Sequence, residues 1–186
     1  MSSSYRRSLE EWLSQQSYEV ESALDIGGAQ LAIPDRVKHW QVDKYRIADL
    51  AKPHKQKHTP DYLFNVEEDV WLSQWGVYDI VFCLEVFEYI INPIRAMGNI
   101  YLATKDKAII TFPFCYPIHE PVQADSLRYT RTAIERLAHK VGFKIDAIHD
   151  RIAETPAILN AYSSERLRAA KGVDHRVLGY IVELSK

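Results

Sequence analysis

Three acids, a glycine pair and a histidine carry the chemistry that this chain can offer. Asp25 precedes Gly27 and Gly28 in ALDIGGAQ, residues 23–30; Asp43 follows VKHWQV; Glu85 ends the apolar run Ile80 to Leu84 in YDIVFCLEVFEY, residues 78–89. An apolar run that ends on an acid and then a Gly pair is the pattern of a strand delivering its carboxyl end into a tight turn, where backbone can approach a ligand closely. The second run reads as a buried strand, so Glu85 is lifted to the same sheet edge, and ligands of open α/β sheets bind at that edge. His119 leaves the next strand on a loop bounded by Pro113, Pro117 and Pro121. An imidazole with a pKa near ~6.5 can take a proton from an alcohol or amine, worth about 10²- to 10⁴-fold in rate. The same ring can instead hydrogen-bond Asp125, Arg128 or Tyr129 and stiffen the loop, and the residues leave both roles open.

The elements that must position these groups follow from periodicity. Tyr5, Leu9, Trp12, Leu13 and Gln16 recur at helical spacing, which predicts an amphipathic helix over 4–17. Strands are expected at 20–26, 37–42, 61–66, 78–84, 107–113, 143–148 and 177–184. The second should end on Asp43, with 44–60, broken by Pro53 and Pro60, mostly loop. The short interval between Gly28 and Val37 contains Pro34, so the first crossover helix should be one turn or absent. Asn92-Pro93 caps a helix over 93–104, and Thr130 or Thr132 caps another that Gly142 ends. A helical turn is expected at 70–75, and Thr155-Pro156 should open a helix to about 171. Strands alternating with helices imply a mainly parallel sheet.

These segments resemble the class I S-adenosylmethionine-dependent methyltransferases, in particular a methyltransferase type 11-like group. Its motifs read roughly LDxGxG, then FDxVxxxEVxEH, then a strand ending in Pro-Phe followed by HxP and DxxRYT. The last part reads AIITFPFCYPIHEPVQADSLRYT here, residues 108–130, and the resemblance runs from about Leu24 to Phe143. It implies a Rossmann-like three-layer α/β sandwich with a mainly parallel seven-stranded sheet and an antiparallel edge strand. It also implies S-adenosyl-L-methionine as cofactor. Asp25, Gly27 and Gly28 would then form the turn beneath its methionine part, and Asp43 would accept the ribose hydroxyls. Asn65 stands where the family has an acid for the adenine amino group. Val66 would offer its backbone to the ring edge, and Leu84 and Glu85 would face the cofactor. His119 and Tyr129 are the candidate catalytic residues, Tyr129 as part of the acceptor pocket. Arg128 would hold an anionic group of the substrate or anchor Asp125. Glu88 would work in the site or serve as a cap or ion-pair partner. The chain departs from the motifs at Ala29, Gln30, Asn65 and Tyr89.

With 186 residues, of which 47% are hydrophobic and 26% charged, the chain is expected to form one domain with a full core. A net charge of -2 argues against broad nucleic-acid binding, and the apolar runs are strand-sized, so neither nucleic acid nor membrane is expected as partner. Cys83 and Cys115 read as buried free thiols, and MSSSYRRSLEEWL lacks the apolar core of a secretory signal, so a cytoplasmic protein is expected. His54 and His58 lie in a lysine-rich stretch without the acids or thiols of a metal site. The leading expectation is methyl transfer to a small-molecule or sugar-like acceptor. The alternative is a methyltransferase-like binding or scaffold protein that has lost catalysis. A nicotinamide enzyme is disfavoured, because the turn reads Gly27-Gly28-Ala29-Gln30-Leu31 rather than G-x-G-x-x-G.

Overall fold

A strand with no polar face has to be covered on both sides, and β4 (Tyr78–Cys83) is buried at all six of its positions. The computed structural model describes residues 4–68, 76–118, 120–153 and 176–186. Around β4 it arranges β1 (Ser17–Ile26), β2 (His39–Asp49), β3 (Tyr62–Leu63), β5 (Thr104–Pro113), β6 (Lys144–Ile152) and β7 (Val177–Ser185). The order across the seven-stranded sheet is β3-β2-β1-β4-β5-β7-β6. The β1–β2, β2–β3, β1–β4 and β4–β5 pairs are parallel. β7 runs antiparallel to both β5 and β6 at the far end of the sheet.

The two faces are covered by different helices. Leu24, Val81, Ile110 and Val182 pack with Met97 and Ile100 of α2 (Pro93–Ala103) and Ile134 and Ala138 of α3 (Arg131–Val141). Their alternates Ala23, Ile80, Phe82 and Ile109 pack with Leu9 and Leu13 of α1 (Ser4–Leu13). Successive strand residues thus supply opposite layers, as a period of two requires. The expected caps form: Asn92 accepts from the Arg95 amide, Thr130 accepts from the Ala133 amide, and Gly142 ends α3. The expected turn at 70–75 and helix from Pro156 to about 171 lie outside the described residues.

Several boundaries differ from the sequence reading: β1 begins at Ser17 rather than 20, β5 at Thr104 rather than 107, and β6 runs on to Ile152 rather than 148. α1 stops at Leu13, where the amide of Gln16 turns back to the Leu13 carbonyl. The third strand shrinks to Tyr62–Leu63, because the chain turns at Asn65, whose side chain accepts from the Glu67 amide. Most consequentially, β2 does not end at Asp43. It continues through Asp49, paired with β1 from Ser17↔His39 to Ile26↔Ala48. The first crossover is reduced as expected, to one 3₁₀ turn at Pro34–Arg36. Buried Ile33 plugs the face there, and Arg36 ties the turn to α1 through Glu10, with Nε at 3.1 Å and Nη2 at 2.9 Å from its carboxylate.

Thr130→Ala should remove the α3 cap at a cost of about 1 kcal/mol. Urea unfolding should show a lower midpoint with an unchanged slope.

Candidate functional site

The carboxyl ends of β1, β2 and β4 open into one cleft of about 1040 Å³. Asp25, Ile26 and Gly27 line it from β1, Asp49 and Leu50 from β2, and Leu84, Glu85 and Val86 from beyond β4. Phe64, Asn65 and Val66 follow from β3, and Tyr5, Arg6, Leu9 and Glu10 of α1 form part of the wall. Parallel strands deliver their carboxyl ends to one edge, which is why residues so far apart in sequence meet there.

Six of the expected cofactor residues therefore converge: Asp25, Gly27, Asn65, Val66, Leu84 and Glu85. Three other expectations are corrected. Asp43 is exposed in the middle of β2 and does not line the cleft; the acid at the strand end is Asp49. Gly28 lies behind the cleft surface, and a Cβ added there would run into the Asp25 carboxylate. Tyr129 is buried in the core, its ring 5.1 Å from that of Phe112 and its hydroxyl donating to the Phe87 carbonyl at 3.1 Å. Its aromatic partners belong to the core, so it does not form the acceptor wall. His119 lies outside the described residues. Arg128 directs its fork to both oxygens of Asp125 and its remaining donors to the carbonyls of Tyr116, Leu127 and Pro117, the anchoring role.

The glycine turn is built around two carboxylates. Gly27 has φ +83°, and a Cβ there would collide with Val86, so this position needs both the conformation and the absent side chain. Its amide donates to the Ala48 carbonyl at 2.8 Å. The Ala29 amide donates to Asp49 Oδ2 at 3.0 Å, while Asp49 Oδ1 accepts from the Leu50 amide at 2.7 Å. Asp25 accepts a 2.6 Å hydrogen bond from the Tyr45 hydroxyl. Residues 57 and 58 close over the turn, both amides donating to the Ala29 carbonyl at 2.8 Å. Burial pushes the Asp25 carboxyl up to about 7, against the opposing pull of Tyr45 and Arg36, with Asp49 adding to the rise. Burial also raises Asp49. Beneath the cleft, burial and then the neighbouring Glu85 push Glu88 up to about 8.

Glu85 is the other fixed acid. It takes a left-handed backbone, φ +57°, and its amide donates to Thr111 Oγ1 at 2.7 Å. Thr111 returns a bond to Glu85 Oε1, and Arg151 from β6 donates to the same oxygen at 2.5 Å. Neither Arg151 nor Asp49 stood out in the sequence. A lone Gly inside the strand VLGYIVEL was the available signal for a close approach at Arg151, since Gly179 is its partner across β6 and β7. Among the described residues no cluster of three His, Cys, Asp or Glu could hold a metal ion, and no helix is long and apolar enough to cross a membrane. Cys83 and Cys115 are free thiols.

No protein-family model matches the chain, and no curated protein sequence matches it significantly. Solved structures do. An S-adenosylmethionine-dependent methyltransferase from Mesorhizobium loti aligns over 98% of this chain and 98% of its own, with TM-score 0.63 and 10% identity. A SAM-dependent methyltransferase from Archaeoglobus fulgidus aligns over 98% and 92%, with TM-score 0.58 and 12% identity. Magnesium protoporphyrin IX methyltransferase from Synechocystis PCC 6803, solved with bound SAM, aligns over 98% and 76%, with TM-score 0.51 and 9% identity. The fold is thus the Rossmann-like fold of class I S-adenosylmethionine-dependent methyltransferases.

The raised Asp25 pKa has a definite sign for stability. The unfolded chain releases this proton near 3.8, the ordinary aspartate value, and the folded one near 7, so the group's contribution is fully present below 3.8 and is lost as pH rises to about 7. Asp25→Asn keeps an acceptor for Tyr45 and should remove that part of the decline. Urea unfolding at pH 5 and pH 8 should show a smaller pH 8 loss in the variant than in the unsubstituted protein.

Proposed function

We propose that this chain is an S-adenosylmethionine-dependent methyltransferase of the type 11-like group, acting on a small-molecule or sugar-like acceptor. The observation that carries the reading is the chemistry of the glycine turn. The amides of Gly27 and Ala29 are already spent on Ala48 and Asp49, while two acids, Asp25 and Asp49, are among the residues that line the cleft. A pyrophosphate needs free N–H donors and avoids carboxylates; a ribose and a cationic group want the reverse. The turn therefore suits an adenosyl sulfonium far better than a dinucleotide.

The residues fit this cofactor. Asp49, with two oxygens each accepting one amide, has lone pairs left for the ribose hydroxyls, the role expected of Asp43. Asn65 and Val66 would hold the adenine. Gly27 leaves open the space that a side chain would fill beside Val86, and Asp25 and Leu84 would flank the methionine part. Bound S-adenosylmethionine supplies an electrophilic methyl group on a sulfonium, a good leaving group. The chain must chiefly bind, align and exclude water; alignment alone reaches ~10⁵ M or more of effective molarity. His119, which follows β5 in the sequence, is the proposed proton acceptor for the attacking group.

Tyr5, Tyr89 and Tyr116 line the cleft with Glu85 and Glu120, a wall of rings and acceptors that suits a ring-bearing acceptor with hydroxyl or amino donors. A second reading, a binding protein without turnover, draws on the closure of residues 57 and 58 over the Ala29 carbonyl and on the departures at Ala29, Asn65 and Tyr89.

Calorimetric titration with S-adenosylmethionine and S-adenosylhomocysteine tests the proposal, with micromolar binding expected. Asp49→Ala should weaken binding about tenfold or more, for lost charge-assisted hydrogen bonds of ~1.5–3 kcal/mol, while Asp43→Ala should leave it unchanged. Equal effects of the two would move the ribose site off the end of β2.

A further inference from the structure

We propose that Arg151 is a positioning residue for the cleft, holding the Glu85 carboxylate at its floor and α1 at its wall through one buried guanidinium. The proposal rests on the cofactor reading only for its binding readout.

Arg151 is 0% exposed, and three things surround its guanidinium. Nη1 donates to Glu85 Oε1 at 2.5 Å, Nη2 donates to the Tyr5 carbonyl at 2.8 Å, and the guanidinium carbon lies 3.3 Å from the centre of the Tyr5 ring. One planar cation thus ties β6 to the end of β4 and to the first turn of α1. A fork of fixed donors can serve two acceptors in one plane while a ring covers its face; an ammonium cannot. The buried charge is paired with Glu85 and covered by the Tyr5 ring, while Nε finds no hydrogen-bond partner among the described residues.

The route is opened by Gly179. Arg151 pairs with Gly179 across β6 and β7, and Gly179 pairs with Pro113 across β7 and β5. A Cβ at Gly179 would come within 2.6 Å of the Phe112 carbonyl oxygen and 2.8 Å of the Tyr5 ring. The missing side chain leaves the space in which the Tyr5 ring lies against β7 and over the Arg151 guanidinium. Both ends of the clamp line the cleft, Glu85 on one side and Tyr5 on the other. Thr111 holds the remaining freedom of Glu85 by bonding its amide and the same oxygen. Nη2 also reaches Glu85 Oε2 at 3.4 Å, so both oxygens of the carboxylate are held in a set position at the cleft, and α1 cannot tilt without breaking the Tyr5 contacts.

The experiment compares the unsubstituted protein with Arg151→Gln, Glu85→Gln, the double variant and Arg151→Lys. Two readouts are used: calorimetric affinity for S-adenosylmethionine and amide exchange of residues 4–13. If Arg151 acts through Glu85, Arg151→Gln weakens binding by about tenfold or more, and the double variant is no weaker than the worse single one. Arg151→Lys, which keeps the charge without the fork, falls between. Exchange in α1 speeds up in Arg151→Gln. Unchanged affinity in Arg151→Gln, or losses that add fully in the double variant, would overturn the positioning role. Should the unsubstituted protein bind no S-adenosylmethionine, the cofactor reading fails, and the exchange of α1 decides the clamp by itself: faster in Arg151→Gln upholds it and unchanged refutes it. Should Arg151→Gln not fold, Arg151→Lys carries the same comparisons.

Discussion

The structure depends on the burial of β4 on both faces. Tyr78 to Cys83 expose no side to water, so the strand can exist only at the centre of a sheet that carries covering layers above and below. One layer is built by α2 and α3 and the other includes α1, and the alternation of Val81 and Cys83 with Ile80 and Phe82 assigns each side chain to its layer. Burying one such large side chain contributes about 1.5–3 kcal/mol, so a central strand of this kind outweighs any local preference of its neighbours. Parallel pairing to β1 and β5 then follows, and with it the convergence of carboxyl ends at a single edge.

At that edge the balance changes from apolar burial to the management of acids. Asp25, Asp49 and Glu85 are drawn in with their strands, and each is given a specific set of donors. Tyr45 serves Asp25, the amides of Ala29 and Leu50 serve Asp49, and Thr111 with Arg151 serves Glu85. These partners come from different strands and loops, so the acids also stitch the edge together. The rise of the Asp25 pKa to about 7 records what burial costs a carboxylate there. Such strain is common where a site is held ready for a ligand of opposite character.

Much of this was legible in residue types. The Asp25–Gly27 turn, the end of β4 at Leu84 and Glu85, the caps at Asn92 and Thr130, and the shortened first crossover all depend on neighbours in sequence. Asp43 misled because the charged stretch Asp43-Lys44-Tyr45-Arg46 reads as the end of a strand. The backbone bonds to β1 carry β2 six residues further, and only Ile47 and Ala48 there are buried. Tyr129 misled because a tyrosine in a polar motif is indistinguishable in sequence from one that packs on Phe87 and Phe112. Arg151 was invisible because arginine is rarely buried, and its partner Glu85 is 66 residues away.

The sequence by itself determined where most of the described strands and helices fall, that the apolar run from Tyr78 must be central, and that acids and glycines stand at strand ends, because these follow from periodicity and local backbone chemistry. Only the tertiary structure decided which acid closes β2, which side chains look into the cleft and which cation pins Glu85. Those outcomes depend on pairing register and on gaps such as Gly179, where residues distant in the chain meet across strands. Local pattern carries no record of such distances, and in a close-packed interior they determine whether a polar group becomes a site or a strut.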